Sequence, residues 1–291
     1  MVSELFLALI ILNVVLMNKL LPFLFLYCLG VSTVNAEDVD VDQWHFSVFV
    51  GEGKVTNPLR KLDDLKINAF PSFKYYGEKF FIDNTTIGYT LVEQEHLFID
   101  VVGLLNDDGL FHYFDANDNY TLFNIFGLKG GGGIRGFDES TFKAISRDVS
   151  YLAGLNISFF TDYIDAQVGY FTDITGVHNG SELRVSLSKN FTFKWLELYL
   201  EVGQVQKSKA LVDYYYTMQK EELSSLNLLT KYEADVATNT YYKAQLDVPI
   251  SESFTFVASI KKTELGTNIK DSVLITESDY LSSFIGLRYD F

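Results

Sequence analysis

The sequence predicts an all-β protein, a transmembrane antiparallel β-barrel, and three observations predict it. After Trp44, apolar residues recur at alternate positions in short stretches, with polar residues between them; a period of two marks a strand. Aromatic residues stand repeatedly at the ends of those stripes (Trp44, Tyr89, Tyr151, Tyr170, Tyr242, Phe254, Tyr289), as the interfacial girdles of a membrane barrel require. The connections alternate long and short, and the last stripe runs to Phe291. A soluble sandwich shares the alternation but packs its apolar faces on each other. The girdles and the alternating connections favour the barrel.

The first 36 residues read differently from the rest. From Met17 to Ala36 the chain carries a basic Lys19, an apolar core from Leu20 to Val31, and Val34-Asn35-Ala36 as a small-residue cleavage site before the acidic EDVDVD. This is the pattern of a secretory signal peptide cut after Ala36. Residues 1–16 hold Glu4 and no basic residue, so Met17 is the expected start; the rival reading is a retained N-terminal anchor. Cys28 lies inside the signal without the small preceding residue of a lipoprotein signal, and its removal leaves no cysteine. Such an exported chain must be held by its core or its strand ladder rather than by disulfides. Residues 37–42 form a short acidic periplasmic segment, and 43–291 form the barrel.

The strands follow in order. Trp44, Phe46, Val48 and Val50 give the first, at 43–51. The stretch 66–93 holds three, near 67–75, 78–83 and 86–93, with YYGE and DNTT as turns. Leu97, Ile99 and Val101 begin the next, followed by the stripes Tyr151–Phe159, Ile164–Tyr170, Leu183–Leu187, Leu196–Val202, Tyr242–Val248 and Phe254–Ile260. The last carries Ile285, Leu287, Tyr289 and Phe291 on one face and Gly286, Arg288 and Asp290 on the other. The total is twelve strands, or ten if FFID at 80–83 only extends its neighbour. Short turns at 161–163, 189–192 and 249–252 belong to the periplasmic rim, and the long connections 106–146, 207–237 and 265–280 to the outside.

In such a barrel the polar alternates line the lumen, which places Arg184, Lys243, Gln245, Asp247 and Arg288 there. Twelve strands give a lumen wider than the filled eight-strand case and narrower than a general porin. The formal charge of −15, unchanged by removal of Glu4 and Lys19 together, disfavours nucleic acid. Acidic loops favour cations if the lumen conducts.

No catalytic set emerges. His45, His96, His112 and His178 lack metal-binding spacing, and no Gly-x-Ser-x-Gly elbow occurs. His45 and His96 fall at polar strand positions, His112 and His178 in loops. The pairs Asp63-Asp64, Asp107-Asp108 and Glu221-Glu222 read as solvated loops rather than acid–base dyads. KGGGGIRG at 129–136 lacks the Gly-Lys-Ser/Thr ending of a phosphate loop. If that glycine-rich stretch folds inward, the pore is plugged. The Asn-x-Ser/Thr triplets at Asn84, Asn119, Asn156, Asn179 and Asn190 are expected of a Ser/Thr/Asn-rich barrel. The expectation is a protein without catalysis, cofactor or metal.

Several pieces, in order, resemble the MipA/OmpV family of outer-membrane proteins: WHFSVFVGEG with NPL at 57–59, PSFKYYGEKFFIDNTTIGYTL at 71–91, DITGVHNG at 173–180, VDYYYTM at 212–218, DSVL at 271–274 and the closing GLRYDF. The chain departs from the family's usual residues at Thr217-Met218 and at Val273. The resemblance implies a Gram-negative outer-membrane location and a scaffold linking a lytic murein transglycosylase to a bifunctional penicillin-binding protein; relatives are treated as adhesins, antigens or osmotic-response proteins. It also implies contact with lipopolysaccharide and with the barrel-assembly machinery, which reads a final strand carrying Gly286, Tyr289 and Phe291. Phe284 stands where that signal usually has a polar residue. A small-solute or cation-preferring channel, or a surface adhesin, is the alternative to the scaffold.

Overall fold

The computed structural model describes residues 42–60, 62, 64–113, 147–219 and 232–291. The signal segment with Ala36, most of the acidic segment 37–42, the glycine-rich stretch 129–136, Asn119 and Glu221-Glu222 lie outside the described residues. No described helix is long and apolar enough to cross a membrane, and the crossing is made by strands.

Twelve strands close into one antiparallel barrel. In chain order they are β1 (Gln43–Val55), β2 (Leu65–Tyr76), β3 (Phe80–Asp83), β4 (Thr86–Gln94), β5 (Leu97–Leu105), β6 (Tyr151–Phe159), β7 (Asp165–Asp173), β8 (Ser181–Phe193), β9 (Leu196–Lys207), β10 (Ala237–Pro249), β11 (Phe254–Glu264) and β12 (Asp279–Asp290). Each pairs with its sequence neighbours, and β12 closes on β1. Closure pairs each strand on both sides, which removes the aggregation-prone sheet edge except beside the short β3, where residues 65–72 of β2 pair with β1 alone. Three short helices, α1 (Asp107–Tyr113), α2 (Lys209–Tyr216) and α3 (Thr267–Lys270), belong to the long connections.

Side chains sort by alternation. Leu155, Val168, Tyr170, Val185, Leu187, Tyr242, Ile285 and Leu287 all point outward, each more than a third exposed to solvent, which in the bilayer means exposed to lipid. Between them Ser158, Ser186, Thr255 and Thr263 are buried in the lumen. Trp44 stacks on Phe46 and meets Tyr75 at the turn end, and Phe254, Tyr289 and Phe291 cluster on that rim with centroids 4.9 Å apart. Amphipathic rings at this level anchor a barrel in its membrane.

The count is twelve because β3, though four residues long, pairs on both sides. Its shortness leaves the loop-end half of β2, above Lys74, with β1 as its ladder partner. Asn84 caps the step: its N–H donates to the Phe73 carbonyl at 2.9 Å and its Oδ1 accepts the Phe73 N–H at 3.1 Å. Backbone groups alternate sides along a strand, so Pro71 turns its missing N–H to the same side as Phe73. A proline is admitted there because no ladder bond is lost.

Several boundaries differ from the sequence reading. Strand β1, expected to end at 51, runs on to Val55 through a bulge between Val50 and Gly53. The turn placed at 189–192 lies instead at Lys194-Trp195. Lys189 lies near the turn end of β8 and donates to the Asp162 carbonyl of the neighbouring turn, as a snorkelling lysine does at a membrane interface. The turns placed at YYGE and DNTT shrink to 77–79 and 84–85. His96 belongs to the β4–β5 turn rather than to a strand.

Candidate functional site

The lumen has two zones, a filled mouth at the end carrying the long connections and, toward the end carrying the short turns, a stretch lined by charged residues with the Phe49–Phe70–Phe284 ring cluster on one wall. The mouth is built by α1, α2 and α3 with the flanking loops. Leu211, Val212, Tyr215, Tyr216 and Ile269 are fully buried there among Leu59, Ala234, Leu265, Leu274 and Ile275. The segments 58–60 and 274–276 bind each other through Arg60 N–H to Leu274 O at 2.7 Å and Thr276 N–H to Pro58 O at 2.9 Å. This is an apolar core built by the long connections; a smaller one of Val102, Leu104, Leu152 and Phe171 lies in the barrel wall.

Beneath that core an ion network ties the cap to the wall. Lys207 of β9 pairs with Asp108 of α1 and, at 3.4 Å, with Glu182 of β8. Glu182 also accepts from Arg184 at 2.7 Å and from Asn106 at 3.0 Å, and Asp108 accepts the Tyr216 hydroxyl at 2.5 Å. Asp108, Glu182 and Lys207 are each at most 5% exposed, so each charge must be matched inside. This overturns the reading of Asp108 as a solvated loop residue, while Asp107 beside it is exposed. Those residues open α1, and Asp108 is held by a lysine 99 positions away, which no local pattern reveals. Burial and the nearby Asp108 raise the Tyr216 phenol well above its ordinary pKa, so it stays a donor.

A second cluster looks catalytic and is not arranged to act. Ser150 Oγ lies 3.0 Å from His178 Nε2, with Asp173 3.9 Å from His178 Nδ1. A hydrolytic triad needs Nδ1–H donating to the acid and Nε2 free to accept from the serine. Here His178 Nδ1 accepts the Gly180 N–H at 2.9 Å, so the proton sits on Nε2 and is donated to Ser150. Burial lowers the His178 pKa and keeps the ring neutral, and Ser150 is fully buried. Asp173 is saturated by the N–H groups of Thr175, His178 and Asn179 at 2.7–2.9 Å. The cluster staples the β7–β8 loop to α2, where the Tyr215 hydroxyl meets Ser150 at 3.2 Å. Among the described residues no group of His, Cys, Asp and Glu is placed to hold a metal.

Below the cap the lumen is charged. Arg288 binds Asp247 at 3.1 Å and Asp290 at 3.0 Å, and Gln245 donates to Asp247 at 3.0 Å. Arg184 belongs to the network above, its guanidinium 5.6 Å from the Phe171 ring centroid. Lys243 stands over the Tyr199 ring at 5.1 Å. Gly286 faces the lumen opposite Gly51 at the β1–β12 seam, where a Cβ on Gly286 would come within 2.3 Å of the Val50 carbonyl. Tyr289 and Phe291 point the other way, to lipid, and the Phe291 N–H donates to Phe46 O at 3.1 Å.

Comparison with known proteins agrees with this architecture. The family model for MltA-interacting protein MipA matches residues 50–291. The chain belongs to the MipA family. A curated relative, the "Putative outer membrane protein YiaT" of Escherichia coli (strain K12), is 23% identical over 245 residues, covering 83% of this chain and 90% of that one. Similar solved structures include a loop-deletion mutant of OmpT, an outer membrane protein of Vibrio cholerae, at TM-score 0.34 and 9% identity over 87% of this chain and 100% of that one. The CymD monoaromatic hydrocarbon channel is similar at TM-score 0.36 and 12% identity over 87% and 89%. This MipA-family chain is an outer-membrane β-barrel.

Proposed function

We propose that this MipA-family barrel is a non-enzymatic binding protein of the envelope, acting by contact, and that it holds a murein-cutting transglycosylase beside a murein-building penicillin-binding protein. The observation that carries the reading is the filled mouth. A lumen blocked by three helices and a buried ion network is a poor conduit, and the Ser150–His178–Asp173 cluster has its proton on the wrong nitrogen for hydrolysis. The family's description as an interactor of MltA supports the partner. A stable interface buries about 800 Å² per partner, more than turns of two to five residues offer singly, so a periplasmic enzyme would engage the whole turn rim. Lipopolysaccharide at the loop rim and the assembly machinery at Gly286, Tyr289 and Phe291 complete the proposed partners.

The test is surface plasmon resonance of a lytic transglycosylase of the MltA type over the folded barrel, before and after substitution of the 160–164 and 250–253 turns. Saturable binding lost with the turns supports the scaffold, and its absence in the native barrel refutes it. A channel is the second reading, favoured by the charged lumen; planar-bilayer conductance with steady open steps would establish it.

A further inference from the structure

We propose that the lumen carries an oxyanion site at Lys243 and Lys261, reached from the turn end and taking a carboxylate or phosphate. These two residues are direct cross-strand partners in the β10–β11 register. They stand on the face opposite lipid-facing Tyr242, so both ammonium groups enter the lumen. Like charges directly opposite each other on a sheet destabilise it, and a barrel free to place any residue there has placed two cations. Lys74, across the lumen on β2, lies within electrostatic reach of Lys243 but is ion-paired with Asp83 at 3.5 Å.

One acid stands beside this pair and the others are ion-paired elsewhere. Glu201, the cross-strand partner of Lys243 on β9, accepts the hydroxyls of Tyr199 at 3.1 Å and Tyr241 at 2.5 Å and keeps its charge near Lys243, so one carboxylate serves two ammonium groups. Asp247 is taken by Arg288 and Gln245, and Glu182 by Arg184, Lys207 and Asn106. Among the described residues Lys243 and Lys261 have ring partners, Tyr199 at 5.1 Å and Tyr241 at 4.6 Å. A cation–π contact holds an ammonium group in place without neutralising it, so the positive field stays available to a ligand.

Access is open from the turn end. The described turns at the turn end are two to five residues long, too short to fold across the opening. Lys261 also borders a cavity of about 220 Å³ under α1, lined by Leu65, Phe111 and Tyr280. Asp107 lines that cavity too and would repel an anion there, which leaves the lumen between the two lysines as the seat. The lysine pair is thus a local cationic spot in a chain of formal charge −15.

The experiment is a phosphorus NMR titration of inorganic phosphate with the folded mature barrel in a non-ionic detergent at constant ionic strength, followed by competition with acetate. Saturable broadening is expected, weakened about tenfold in K243Q/K261Q and retained in K243R/K261R and in the control K54Q/K66Q, whose lysines lie outside the site. Single K243Q and K261Q barrels serve if the double variant does not fold, each expected to weaken binding. Displacement by acetate means that the site takes carboxylates as well, and its failure restricts the site to phosphates. No saturable component in the native barrel, or equal binding in the glutamine variants, overturns the site.

Discussion

Replacing Lys207 by methionine tests whether the cap is held by buried charge. The substitution keeps the length of the side chain and removes the cation facing Asp108 and Glu182. Glu182 retains Arg184 and Asn106, whereas Asp108 keeps only the Tyr216 hydroxyl and the Asn106-capped turn of α1. Breaking a buried pair from one side costs about 3–5 kcal/mol because an uncompensated charge remains. Since all three groups are nearly inaccessible to water, solvent screening reduces this little. The lower figure applies because Asp108 keeps a donor, so opening of the cap becomes easier by about 3 kcal/mol, on the order of 150-fold. Hydrogen exchange of amides in α1 and α2, such as Val212, whose N–H is bonded to Ser208 O at 3.1 Å, should accelerate by that factor, while amides of β8 and β9 stay protected. D108N/K207M should recover part of the loss. Exchange in K207M within about threefold of native would refute the network as the cap's anchor.

Other expectations follow the same contacts. Tyr216→Phe removes one donor from buried Asp108 and should cost about 1–3 kcal/mol, read in urea unfolding of the folded barrel. Gly286→Val drives side-chain atoms into the Val50 carbonyl, which the seam cannot move; the heat-shifted band on unboiled SDS gels should vanish. For His178 the folded pKa is below the ordinary value, so as pH falls below about 6.5 the unfolded loop takes up the proton first. Stability of the β7–β8 loop should therefore decline from pH 7 to 5, and H178Q should flatten that slope. Deleting Phe291 should reduce the folded barrel in cells yet leave refolding into detergent unchanged; equal loss in both settings would make it a girdle residue alone.

How far the sequence reaches can be judged residue by residue. The lipid face was legible because it obeys a local rule: Leu183, Val185 and Leu187 must all face lipid once a strand is assigned, whatever lies across the barrel. The turn after β8 was misread because Ser188, Lys189 and Asn190 look like turn formers; at a membrane interface the same residues can continue a strand. The Ser150–His178 contact left no signal, since the pair joins two loops only when β6, β7 and β8 are side by side.

The sequence by itself determined most of the strands, their inward and outward faces and the family resemblance, since alternation and girdles are properties of neighbours in the chain, whereas the choice of twelve strands over ten waited on the pairing of β3. Only the tertiary structure decided that the mouth is filled, that Asp108 is paired with Lys207, and that Lys243 faces Lys261 with Glu201 as the one acid beside them. Those facts depend on strand register and on residues tens to a hundred positions apart. Charge, unlike hydrophobic alternation, has no period by which a sequence declares its partner.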